Sequence, residues 1–180
     1  MNRALFASLS VLALVGACVR EEPPAGHGAP PPREATAAEA LDRMDTRTPV
    51  PLLPMMANHQ KQNMRDHLVA VQEIVAAMAT DDFASIERAA GRIGFSEQMG
   101  QMCTHMGAGA PGFTEQALAF HRTADGIGAA ARDRDRARVV TELGTTLKAC
   151  TACYETWKQQ VVDEPTWTRI TAMAPPMHMG

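Results

Sequence analysis

The sequence predicts an all-α fold, an antiparallel up-down-up-down four-helix bundle, and three observations lead there. Aromatic residues are 4% of the 180 positions while Ala, Leu, Val and Met are abundant, a composition that fills space between helices better than it covers a sheet. No sustained run of alternating β-branched residues is present. Four stretches instead repeat apolar residues every three or four positions, and the short turns between them imply antiparallel neighbours.

In chain order, residues 1–17 carry a base at Arg3 and an apolar run over 4–15, too short to span a membrane, and read as a secretory signal peptide. Leu14-Val15-Gly16-Ala17-Cys18 looks like a bacterial lipoprotein cleavage box, in which Cys18 is lipidated and becomes the new N-terminus. The expected location is the periplasm, with a lipid anchor in a bacterial membrane, the outer membrane first. Residues 18–49 form the lipidated terminus and a flexible linker, rich in Pro, Gly, Ala and charge around Pro30-Pro31-Pro32. About 30 residues of such chain reach roughly 30 Å. A helix over 35–44 would be marginal. Loss of Arg3 with the signal leaves 16 bases against 20 acids, a charge of −4, which excludes a phosphate-binding nucleic-acid surface.

Residues 50–163 hold the expected bundle. The first helix, over 54–80, has Met64, Leu68, Val71, Val75 and Met78 as its apolar stripe. Asp81-Asp82 ends it and caps a second helix over 83–105, with Gly91, Gly94 and Gly100 inside it. A Gly-rich turn over 106–113 leads to a third helix over 114–132, whose inner face carries Ala117, Phe120, His121, Ala124 and Ile127. After a charged corner, a fourth helix over 135–162 repeats Val139, Leu143, Leu147, Cys150, Tyr154 and Trp157 at helical spacing. Residues 164–180, with Pro165, Pro175, Pro176 and the closing Met177-His178-Met179, form a loosely packed tail.

Cys150, Cys153 and Tyr154 lie three and four apart and share one helix face. A Cys-x-x-Cys pair followed by His is the c-type haem attachment motif, in which both thiols add to porphyrin vinyl groups and the next residue binds iron. Tyr154 stands at that position here. With Trp157 and Lys158 just beyond, this late pair of cysteines resembles the cytochrome c prime family of haem-bearing four-helix bundles, over roughly the last three quarters of the chain. The resemblance implies an iron protein with haem c held by Cys150 and Cys153, working in electron transfer or small-gas binding. It also implies a redox partner protein and pairing of two copies.

Counting residues from the turns puts the unusual side chains at one level of the bundle. Cys150 and Cys153 meet Met99, Met102 and Cys103 from the second helix, His59, Met64 and His67 from the first, and Phe120 and His121 from the third. Two chemistries follow. In the first, haem is attached and its iron takes Tyr154 as a phenolate, or His67, His121 or Met64 as axial ligand. In the second, haem is lost and the corner holds copper, Cu(I) being selected by thiolate and thioether. Cys103, Cys150 and Cys153 then form the core, completed by Met102, His105, Met106 or His121, with the Met-His-Met tail as an accessory. A Cys150–Cys153 disulfide is strained within a regular helix. No nucleophile with an adjacent base and no paired catalytic carboxylates stand out, so a non-enzymatic role is expected.

Overall fold

A computed structural model describes residues 35–173. The signal segment, Cys18, most of the linker and Met177-His178-Met179 lie outside the described residues. The chain divides into two units, Met1–Arg43 and Met44–Gly180. Helix α1 (Ala37–Met44), in the first unit but for its last residue, starts from a capping box: the Glu39 N–H donates to Thr36 Oγ1, and the Thr36 N–H donates to the Glu39 carboxylate.

The second unit is mostly helical, as expected of an all-α chain, and holds the elements that shape the site. Helix α2 (Pro54–Met78) starts with proline at its first position, where no N–H is needed. Helix α3 (Phe83–Ile93) is capped by Asp82, which accepts from the Ser85 N–H, and α4 (Glu97–Gly107) by Ser96, which accepts from the Met99 N–H. Helix α5 (Phe113–Arg132) follows Gly112, whose φ of +89° suits glycine. Helix α6 (Arg136–Thr156) is capped by Asp135. Helix α5 packs on α3 and α6, and α2 packs on α3. Ile74, Ile86, Ile127 and Val139 are fully buried among alanines at the centre, where small side chains let helix backbones approach closely.

Four local expectations change. The helix expected over 83–105 is two helices. Gly94 has no room for a side chain, since a Cβ there would lie 2.4 Å from Asp125 Oδ1, and that carboxylate accepts the Phe95 N–H. A tertiary hydrogen bond and the Ser96 cap thus outweigh continued helix. The fourth helix stops at Thr156. Trp157–Val161 instead forms strand β2, parallel to β1 (Thr48–Leu52), with Val50 opposite Gln159. Pro49 and Pro51 alternate in β1, so the N–H groups of Val50 and Leu52 point along one edge, as pairing requires. Arg47 donates to the carbonyl oxygens of Tyr154 and Trp157 and takes up the end of α6. The tail expected to be loose contains helix α7 (Glu164–Met173), with Asp163 accepting from the Thr166 N–H.

The fourth change concerns α2, whose stripe is turned. Its buried residues are Ala57, Gln60, Ala70, Ile74 and Ala77, whereas Leu68 is 59% and Val75 54% exposed. Alanines and Ile74 face the core against α3, with Val71 and Met78 packed partly buried at the edge of the same cluster. Met64, Leu68 and Val71 are thereby left beside a cavity.

Candidate functional site

That cavity, of about 120 Å³, opens between α2, α4, α5 and α6. Helix α6 brings Leu147, Cys150, Cys153 and Tyr154 to its wall, since these residues fall on one face of its last turns. Helix α2 contributes Met64, His67, Leu68 and Val71, α4 contributes Met99, Cys103 and Met106, and α5 contributes Phe120 and His121. Of the residues counted to one level from the turns, all but His59 and Met102 share this wall. A second cavity of about 440 Å³ adjoins it, sharing Met64, Phe113, Cys153 and Tyr154 among its walls.

The two histidines have defined states. His121 is 3% exposed, and its Nδ1 lies 2.8 Å from the carbonyl oxygen of Ile93. A carbonyl can only accept, so Nδ1 carries the proton and Nε2 keeps its lone pair. Ile93 is the last residue of α3, and a helix end leaves carbonyls without intrahelical partners. The α3–α4 break thus selects the tautomer of His121, as a carbonyl behind the ring does for many metal-binding histidines. The His67 ring stacks on Phe120 at 4.9 Å and meets His121 edge-on at 5.4 Å.

Burial drives the acid–base chemistry. Desolvation lowers His67 to about 4, helped by its neighbour His121 and opposed by Asp66. Desolvation also lowers His121, against the Ile93 hydrogen bond and Asp125. Both imidazoles are neutral at pH 7. The unfolded chain takes up a proton near 6.5 that folded His67 refuses until about 4, so stability is complete above 6.5 and falls with pH across that window. His67→Phe should make the urea midpoint fall less steeply from pH 6.5 to 4, with His121 and, toward pH 4, the carboxylates of Asp45, Asp82 and Asp163 supplying the slope that remains. An unchanged slope would exclude His67 as its source.

The thiols are held protonated. Burial pushes Cys103 and Cys153 up to about 11, Cys153 also feeling Cys150 and Cys103, and it raises Cys150 as well. Cys103, Cys150 and Cys153 are free thiols. Tyr154, 47% exposed, is raised by desolvation and by the two thiols of its own helix.

The remaining candidates divide. Met106 lines the cavity, but Met102 packs against the Val50 and Leu52 cluster and His105 leans on Trp167 at 5.4 Å. Neither belongs to the cavity wall. His59 is hydrogen-bonded to Asn63. Trp157 and Lys158 sit on β2, not on a helix. The indole N–H donates to Gln116, the ring meets Phe113 edge-on, and Lys158 donates to the Asp45 carbonyl. Among the described residues, no three His, Cys, Asp or Glu side chains are close enough together to hold a metal ion.

Sequence reasoning missed the basic side of the second cavity, lined by Arg47, Lys61, Arg65 and Lys158. Lys61 and Arg65 flank Met64 at i,i+4 spacing, a signal present in the sequence once Met64 is read as cavity wall. No protein-family model, curated protein or solved structure matches the chain.

Proposed function

We propose that the chain is an exported, lipid-anchored protein resembling cytochrome c prime, which holds haem through Cys150 and Cys153 and serves electron transfer or small-gas binding. What supports this reading is that the Cys-x-x-Cys-Tyr corner of α6 opens on the same apolar cavity as His67 and His121. In this reading α2, α5, α6 and the broken pair α3–α4 are the four members of an up-down-up-down bundle, reached by a signal peptide and tethered through Cys18.

The donor set fits the group. The walls are apolar, the two thiols retain the hydrogen that thioether formation transfers to a vinyl carbon, and two neutral imidazoles line the same cavity. Haem would supply a one-electron iron couple and an iron face for a small gas. Cys150 and Cys153 would hold the macrocycle edge against the apolar wall, and Tyr154, His67, His121 or Met64 would be available to the iron. His121 is favoured among these because its Nδ1–H is already engaged and its Nε2 needs no deprotonation.

Copper is the second reading, supported by Cys103 and Met106 on the same wall as Cys150 and Cys153. It ranks lower because, among the described residues, no three His, Cys, Asp or Glu side chains lie close enough together to hold an ion, Met102 and His105 lie elsewhere, and three raised thiols must lose protons before they ligate. Production with c-type haem maturation machinery distinguishes the two. The cytochrome reading expects a covalent haem adduct by intact mass with a Soret band, both abolished in Cys150→Ala/Cys153→Ala. A haem-free chain that takes up Cu(I) overturns it in favour of copper.

A further inference from the structure

We propose that the paired cavities form a non-covalent binding site for an amphipathic carboxylate, with its apolar body between α2, α5 and α6 and its carboxylate on Lys61 and Arg65. The site goes beyond the cytochrome reading and holds whether or not a thioether forms.

Shape and charge together carry the inference. The inner cavity is walled by Met64, Leu68, Phe120 and Leu147, with the half-exposed Leu68 and Tyr154 beside it. The adjoining space of about 440 Å³ falls within the roughly 300–1,000 Å³ of small-molecule sites. Four cations and no Asp or Glu line that space, and no Asp or Glu lines the inner one. The Asp45 carboxylate pairs with Arg47 at 2.8 Å and lies 4.0 Å from Lys158, so two of the cations have a counterion nearby. Lys61 and Arg65 form no ion pair among the described residues, and both are exposed on the turn of α2 that carries Met64.

Two unbalanced cations at the rim of an apolar slot match a ligand with a water-avoiding body and an anionic end. A neutral apolar molecule would leave the charges unused, and a small hydrophilic anion would leave the slot uncovered. Tetrapyrrole carboxylates and long-chain fatty acids share the required chemistry.

The test uses the full-length chain and iron-free probes, so that no bond to iron contributes. Fluorescence titration with protoporphyrin IX and with its dimethyl ester isolates the carboxylates. The diacid should bind about tenfold more tightly than the ester at low ionic strength, with the gap narrowing as salt screens the rim. Lys61→Glu/Arg65→Glu should weaken diacid binding about tenfold and leave the ester unchanged. Both side chains are exposed, and circular dichroism checks that the variant folds; Lys61→Gln/Arg65→Gln repeats the test without charge reversal.

Competition by oleate would extend the site to fatty acids, and its failure would assign it to tetrapyrroles; either supports the shared chemistry. Equal binding of diacid and ester, or charge-reversed binding within about twofold of the parent, overturns the proposal. Intact mass after haem maturation reads the cytochrome proposal alone, so the two fail separately.

Discussion

Tyr154→His should raise covalent haem occupancy about tenfold when the chain is produced with c-type maturation machinery, because it completes the Cys-x-x-Cys-His motif that such machinery reads. The position tolerates the change. Tyr154 is 47% exposed, so stability should move by no more than about 0.5 kcal/mol. It lies on the wall shared by both cavities, one residue past Cys153, where an imidazole would reach the same space as the phenol. Occupancy is measured as the ratio of haem-bearing to haem-free mass, with the Soret band as an independent reading. Unchanged occupancy and spectrum would mean that the residue after Cys153 does not limit attachment, and that α6 alone does not define a haem site.

The largest loss of stability is expected from Ile127→Ala, about 2–5 kcal/mol. Ile127 is 0% exposed on α5, within the cluster of Ile74, Ile86 and Val139. Its other neighbours include Ala89, Ala90, Ala130 and Ala131, which have no rotamers with which to fill a gap. The lost methyl groups therefore leave a void that must be closed by moving helices or left unfilled. The urea midpoint should fall with an unchanged dependence on denaturant. A loss below about 1 kcal/mol would show that α3, α5 and α6 can close around the site, and that the core is less rigid than its packing implies.

The site was legible in proportion to how local its geometry is. Cys150, Cys153 and Tyr154 share a face because three- and four-residue steps fix that relation in any helix. Counting along helices of known rise brought His59, Met64, His67, Met99, Met102, Cys103, Phe120 and His121 to the same level, and six of the eight, all but His59 and Met102, line the cavity. Met102 and His105 sit one and two residues from Cys103, yet they turn to the β1 cluster and to Trp167. Height alone does not say which way a side chain points. The basic rim stayed hidden because Lys61 and Arg65 look like an ordinary solvated face until Met64 between them is known to be wall.

The all-α class, the Asp82 cap and the approximate starts of α2, α3, α5 and α6 follow from sequence alone, since each depends on residues within a few positions of one another. Tertiary structure decided the rest. It turned α2 so that alanines face α3, ended α3 where Asp125 takes the Phe95 N–H, and drew Trp157–Val161 into a pair with Thr48–Leu52. Each outcome depends on a partner distant in sequence, whose contact free energy exceeds the local preference of about 1 kcal/mol per residue or less. The tautomer of His121 is the plainest case: its proton is placed by a carbonyl that is free only because a helix 28 residues earlier ends there.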